Sequence, residues 1–132
     1  MSETPLPDRR ETERLKVNIG NRKIYVDVGK YENGSPGEVF IVVEKTGDQT
    51  RWMFDEVARL ASKLLQHGCP IDQLAEGWVG TKGKPFGPVQ GHDRIKYCTS
   101  ILDFVGRSLL IDYAGREDLA HVKKEEKAVE ST

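Results

Sequence analysis

Glu38-Val39-Phe40-Ile41-Val42-Val43-Glu44 decides the fold of this 132-residue chain, because it is the strongest β signal in the sequence. Its five consecutive apolar residues include four that are β-branched, a composition that favours a buried strand. We therefore predict that this segment is the central strand of a sheet. Two alternating runs precede it, Lys16–Ile19 and Lys23–Val28, with the turn pair Gly20-Asn21 between them. The three segments predict a three-stranded antiparallel sheet.

Helical periodicity follows the strands. Apolar residues recur at steps of three and four over residues 50–67, and a second, short helix is predicted over residues 71–77. Five glycines and two prolines in residues 77–91 exclude a regular element and predict a long loop, which its apolar residues tie to the core. A last long helix is predicted from Asp93, as its cap, to Tyr113. The predicted fold is α+β: a three-stranded antiparallel sheet packed against two long helices, with a short helix and a long ordered loop.

The charged ends of the chain carry few apolar residues. We predict a flexible N-terminal arm over residues 1–12, one folded domain over residues 13–122, and a disordered charged tail over residues 123–132. The domain offers a modest core, with 37% hydrophobic and 31% charged residues. Because a small core leaves stability marginal, we expect the chain to self-associate as a homo-oligomer.

Composition excludes several classes of function. Lys and Arg number 20 against 21 Asp and Glu, a balance that argues against binding to duplex DNA. No apolar run approaches the roughly 18 residues that span a bilayer, and the polar start does not resemble a signal peptide. We therefore expect a cytoplasmic protein without a membrane partner.

The residues that can carry chemistry are few. Cys69 and Cys98 form no CxxC pair and are interpreted as packing residues, and the three separated histidines predict no metal site. Gly83-Lys84 is followed by Pro85, which excludes a P-loop.

One patch can bind an anion. A glycine-rich loop that leads into a helix offers free backbone N–H groups, and basic side chains surround it. The candidate ligand-binding residues for an anion or nucleotide are Lys82, Lys84, His92, Arg94 and Lys96. The alternative interpretation is a set of ordinary solvated basic residues around a surface loop.

Four stretches carry a family resemblance. They are Gly37-Glu38-Val39-Phe40-Ile41, the run from His67 to Leu74, the run from Ile95 to Val105, and the run from Asp112 to Val122. In order and spacing they resemble segments of adenosylcobalamin-dependent, class II ribonucleotide reductases, and in domain terms they are similar to the TSCPD-type module near the end of those enzymes. The resemblance extends over about residues 15–122.

The resemblance implies a link to nucleotide metabolism. The reductases need a large barrel with a radical-forming cysteine, a reducing cysteine pair and cobalamin contacts, and none of these maps onto this sequence. We therefore expect no catalytic residue and no cofactor. The first hypothesis is a non-catalytic accessory or assembly module for a ribonucleotide reductase or another nucleotide-metabolising partner. The alternative is a free-standing protein that binds or sequesters a nucleotide, in a viral or defence setting. Gly106, within the predicted last helix, indicates a close helix contact, with a dimer interface as one location.

Overall fold

The computed structural model describes residues 3–123. It has an α+β architecture with three α-helices, as predicted. In chain order the elements are β1 (Thr12–Ile19), β2 (Arg22–Lys30), β3 (Pro36–Val43), α1 (Asp48–Gln66), α2 (Ile71–Glu76), β4 (Gly87–Gln90), β5 (Tyr97–Cys98), α3 (Ile101–Ala114) and a short 3₁₀-helix (Glu117–Leu119).

The sheet has five antiparallel strands in the order β3-β2-β1-β4-β5, so the prediction of three strands is wrong. The two missed strands arise in and after the segment predicted as a loop. Val89 in β4 pairs with Ile19 in β1, and Gly87 pairs with Cys98 in β5. With four and two residues, these strands are too short to show an alternating pattern.

β3 lies at an edge of the sheet, so its prediction as the central strand is also wrong. Its apolar residues on the outer face, Phe40 and Val42, are 49% and 42% exposed. Helix α1 lies where a neighbouring strand would pair: Ser62 Oγ accepts a hydrogen bond from Val39 N–H at 2.9 Å, and Gln66 Nε2 donates to Gly37 O at 3.0 Å. The helix thus satisfies part of the strand's free edge.

The core lies between the inner face of the sheet and the helices. As predicted, Ile24, Val26 and Val28 share the buried face of β2. Helix α3 contributes nine buried residues out of 14. The large apolar side chains that are less than 2% exposed are Phe104, Ile19, Ile24, Ile41, Ile95, Leu109, Leu110, Val17, Val39 and Val105.

Helix α3 begins at Ile101 and not at Asp93. Ser100 is its N-cap, and its Oγ accepts a hydrogen bond from Asp103 N–H at 2.9 Å. Ile95 and Cys98 fit a helical spacing, yet they lie in a turn and in β5. Both are buried there, because a strand can also direct them into the core.

Residues before β1 contact the folded domain. Thr4 N–H donates to Gln66 O at 2.7 Å, and Arg10 forms a two-point ion pair with the buried Glu38, at 2.7 and 3.2 Å. Two glycines make room for these contacts. A Cβ at Gly37 would lie 2.5 Å from Leu6 Cδ2, and one at Gly29 would lie 2.2 Å from Glu38 Oε2. The flexible arm stays a prediction, and residues 124–132 of the predicted tail lie outside the described residues.

Replacing Gly29 by Ala is expected to release the segment around Arg10. The added Cβ displaces the Glu38 carboxylate that holds the guanidinium, so the segment opens more often. Because tryptic cleavage follows the open population, we expect cleavage at Arg9 and Arg10 to accelerate about three- to tenfold. Gly47→Ala is the control, since a Cβ at that position would meet no atom within 4 Å. Equal cleavage rates for the two variants would contradict this contact.

Candidate functional site

Asp103 is the centre of the strongest polar network among the described residues. Its side chain is 1% exposed and lies in the first turn of α3. Oδ1 accepts hydrogen bonds from Gly80 N–H at 2.7 Å and from Arg107 Nε at 3.1 Å, and Oδ2 accepts one from Thr99 N–H at 3.0 Å. A buried carboxylate with three donors, one of them cationic, is satisfied as an anion.

The hydroxyl groups beside Asp103 connect the glycine-rich segment, residues 77–91, to the start of α3. Ser100 Oγ and Thr81 Oγ1 lie 2.8 Å apart, and Thr99 Oγ1 donates to Thr81 O at 2.7 Å. Gly83 N–H donates to Thr99 O at 3.0 Å. The segment therefore packs against the helix, and its conformation depends on the residues from Thr99 to Asp103.

The chain that follows α3 returns to the same place. Gly115, with a φ of 67°, ends the helix in the left-handed conformation that favours glycine. Arg107 Nη1 then donates to Leu119 O at 3.0 Å, and His121 N–H donates to Arg94 O at 2.9 Å. Lys96 N–H donates to His121 Nδ1 at 3.0 Å. Residues 115–122 are thus joined both to the chain at Arg94 and Lys96 and to α3 at Arg107, and these parts form one scaffold.

The His92 side chain is 8% exposed and acts as a neutral hydrogen-bond acceptor. Its Nδ1 accepts hydrogen bonds from Arg94 N–H at 3.1 Å and Ile95 N–H at 3.0 Å, so the proton of the neutral ring is on Nε2. The ring meets Phe104 edge-on, with centroids 5.6 Å apart. Burial lowers the pKa of His92, and this outweighs the opposing effect of the exposed Asp93 carboxylate. With Nδ1 occupied as an acceptor, His92 makes no charged pair with Asp93.

The fold is expected to lose stability when His92 gains a proton. Its pKa is lower in the folded than in the unfolded chain, so the unfolded chain binds the proton first as pH falls. The contribution of His92 to the free energy of unfolding should therefore be constant above pH ~6.5 and decrease below it. His92→Asn is the matched variant, because its amide oxygen can accept similar bonds without titrating. Urea unfolding at pH 7.5 and pH 5.5 should show a smaller decrease for this variant; equal decreases would contradict the assignment.

The five predicted anion-binding residues do not converge on one groove. Lys84 lines a groove with Gly20, Arg22 and Thr46, which the other four do not line. Lys82, two residues before Lys84, is exposed. The remaining three residues lie close in the turn before β5.

The charges in that turn already have partners. The Arg94 guanidinium pairs with the Glu117 carboxylate and donates from Nε to Val122 O at 3.3 Å. Lys96 Nζ donates to His92 O at 2.8 Å. Since α3 starts at Ile101, the helix N-terminus expected beside these residues is not there. Anion binding by the five residues stays a prediction, which calorimetry against a panel of nucleotides tests.

Tyr97 and His121 form a stacked pair that the sequence reasoning missed. Their ring centroids lie 3.9 Å apart at an interplanar angle of 20°, and Tyr97 is 56% exposed. The residues are 24 positions apart in sequence, so no local pattern could pair them. The sequence feature that relates the two residues is that each lies in a stretch resembling class II ribonucleotide reductases.

The thiol of Cys98 is not activated. Cys98 is 3% exposed, and burial raises the pKa of its thiol to about 11, which agrees with its interpretation as a packing residue. Cys69 is partly exposed, with Sγ 3.6 Å from Pro70 O.

Within residues 3–123 no group of three or more His, Cys, Asp or Glu side chains could hold a metal ion. No helix in the same range is both long and apolar enough to cross a membrane.

The fold and the Asp103 network define the class of protein. It is a small α+β module in which residues of the family-like stretches form the hydrogen bonds that hold the module together. The chain belongs to the TSCPD domain family, whose sequence profile matches residues 2–113. The resemblance to B12-dependent ribonucleotide reductases is thereby confirmed.

The chain spans about a tenth of the length of the three reductases compared below. It is 44% identical over 117 residues to proteins named vitamin B12-dependent ribonucleotide reductase from Bradyrhizobium diazoefficiens and Agrobacterium fabrum. Each match covers 89% of this chain but 9% of the relative. The relative of the same name from Rhodopirellula baltica is 30% identical over 113 residues. No solved structure matches the chain.

Proposed function

We propose that the chain is a non-catalytic accessory or assembly module of the ribonucleotide-reductase type. One observation carries the proposal: residues of the reductase-like motifs are engaged in holding the module together. The Asp103 carboxylate binds three donors, Ser100 caps α3, and His121 Nδ1 accepts from the backbone N–H of Lys96. These side chains stabilise the fold of the module, and the surface of the folded module is what a partner recognises.

The size of the relatives supports the same role. The chain corresponds to 9% of the two reductases that are 44% identical to it, so most of each reductase lies outside the shared region. A module of this size can modulate or assemble such an enzyme without containing its radical chemistry. The partner is accordingly a ribonucleotide reductase or another nucleotide-metabolising enzyme, in the cytoplasm.

Co-purification tests the proposed role. The tagged chain is expressed beside the vitamin B12-dependent ribonucleotide reductase of Agrobacterium fabrum, and deoxynucleotide production is assayed with and without it. We expect the two proteins to elute together and the activity to change, while the purified chain alone forms no deoxynucleotide. Asp103→Ala, which removes the centre of the scaffold, should lose the association. Separate elution together with unchanged activity would refute the proposal.

A further inference from the structure

Helix α1 carries a second apolar stripe on the side that faces solvent. Its buried stripe packs Ala58, Ala61 and Leu65 into the core. The outer stripe contains Met53, Leu60 and Leu64, which are 52%, 55% and 48% exposed, and the half-buried Val57. Three half-exposed large side chains on one helix are more than scattered surface apolar residues, and such patches mark interaction sites.

The spacing of the outer stripe is that of a coiled-coil seam. Met53, Val57, Leu60 and Leu64 follow one another at steps of four, three and four residues, which correspond to d, a, d and a positions. The stripe runs over 11 residue steps, or about 17 Å of helix. A seam of this kind is complementary to another helix with the same repeat.

The charges beside the seam are arranged for self-pairing. The g positions of this repeat are Glu56 and Lys63, one acidic and one basic, on the same side of the stripe. Residues at g face the g residues of the partner when two helices run antiparallel, so Glu56 of each chain meets Lys63 of the other. A parallel pair would instead direct these charges toward the e positions, Phe54 and Ala61, which are at least half-buried within their own chain.

We propose that this chain forms a two-fold symmetric dimer through antiparallel packing of α1 against α1 of a second copy. Met53 then packs beside Leu64 of the partner copy, and Val57 beside its Leu60, with each contact occurring twice. The surface is isologous, as dimer interfaces with two-fold symmetry require. It is independent of the reductase-related role and can coexist with it.

The existing contacts of the flanking charges leave this pairing open. Glu56 Oε2 accepts from Arg59 Nη2 at 2.7 Å within the same helix, and Lys63 Nζ lies 3.5 Å from Glu3 Oε2. Both are exposed ion pairs, which contribute little to stability and exchange readily. Each carboxylate and ammonium group keeps further capacity for a partner across the two-fold axis.

Analytical ultracentrifugation of the full chain tests the dimer. The wild-type chain, of 14.9 kDa, should sediment as a species of twice that mass. Leu60→Glu should raise the dissociation constant at least about tenfold, because it places two carboxylates in the middle of the seam. Glu56→Lys and Lys63→Glu should each weaken the dimer about three- to tenfold, through like charges at g. The double variant Glu56→Lys/Lys63→Glu should return to within about twofold of wild type, because it restores both opposite-charge pairs.

Phe86→Ser is the matched control, since Phe86 is 56% exposed outside α1 and should leave the dimer unchanged. Circular dichroism of every variant verifies the fold. A monomeric wild-type chain at about 100 μM, an intact Leu60→Glu dimer, or a double variant that stays as weak as the single ones would each overturn the proposal.

Discussion

Replacing Asp103 by Ala is expected to lower the free energy of unfolding by about 3–5 kcal/mol, a large fraction of the stability of a domain this size. The variant leaves the Gly80 and Thr99 N–H groups without their acceptor and removes the carboxylate beside Arg107. The two N–H groups and the guanidinium lose a charged acceptor at a part-buried position, where little water is available to replace it. The glycine-rich segment is then no longer fastened to α3.

Urea unfolding followed by circular dichroism measures this loss. Asp103→Asn should fall between Ala and wild type, because its amide keeps one acceptor but turns a donor toward the other N–H groups. Glu76→Gln is the control for loss of an exposed carboxylate and should unfold close to wild type. Should Asp103→Ala lose less than about 1 kcal/mol, the network would not hold the module together.

Replacing Gly106 by Val is expected to lower the free energy of unfolding by about 3 kcal/mol. A Cβ at this position would lie 2.9 Å from Ala75 O, 3.1 Å from Trp78 Cβ and 3.3 Å from Val79 Cγ2. The contact with a backbone oxygen cannot be relieved by turning a side chain, so α2 must move away from α3. Gly106→Ala should also destabilise, by about 1–2 kcal/mol, although Ala favours a helix over Gly by about 1 kcal/mol.

The sign of the Gly106→Ala effect separates packing from helix propensity. Gly77→Ala is the matched control, because no atom lies within 4 Å of a Cβ there and its backbone is right-handed helical. We expect this control to be neutral or slightly stabilising. Thermal unfolding of both variants makes the comparison, and a stabilised Gly106→Ala would show that α2 and α3 are not packed this closely. The predicted close helix contact at Gly106 is present, and it lies within the chain, against the end of α2 and the residues after it.

Long periodic segments were predictable from sequence, whereas short segments held by distant contacts were not. The buried face of β2 follows directly from the alternation of Ile24, Val26 and Val28. The strand at residues 87–90 contains a single buried apolar residue, Val89, so its pairing with β1 depends on a partner about 70 residues earlier. Phe40 and Val42 are likewise exposed at the sheet edge because of where α1 packs. The local composition of the strand does not encode the position of that helix.

The start of α3 shows how a matching period can mislead. Ile95 and Cys98 extend the helical spacing of the residues from Ile101 onward, so the predicted N-cap, Asp93, precedes the observed N-cap, Ser100, by seven residues. Ser100 and Asp103 held the correct signal, a capping residue with an acidic residue three positions later. The predicted anion site assumed the earlier helix start, and in the structure Arg94 and Lys96 of that site bond to Val122 O and His92 O.

Replacement of the matched region in the Agrobacterium fabrum reductase tests the proposed module most directly. The 117-residue match defines the boundaries, and the chimaera carries this chain in place of the enzyme's own segment. The comparison enzymes are the intact reductase, one lacking the segment, and a chimaera with Asp103→Ala. We expect the enzyme lacking the segment to lose activity, the chimaera to recover most of it, and the Asp103→Ala chimaera to fail. A folded chimaera no more active than the enzyme without the segment would contradict the role of this chain as a reductase-type module.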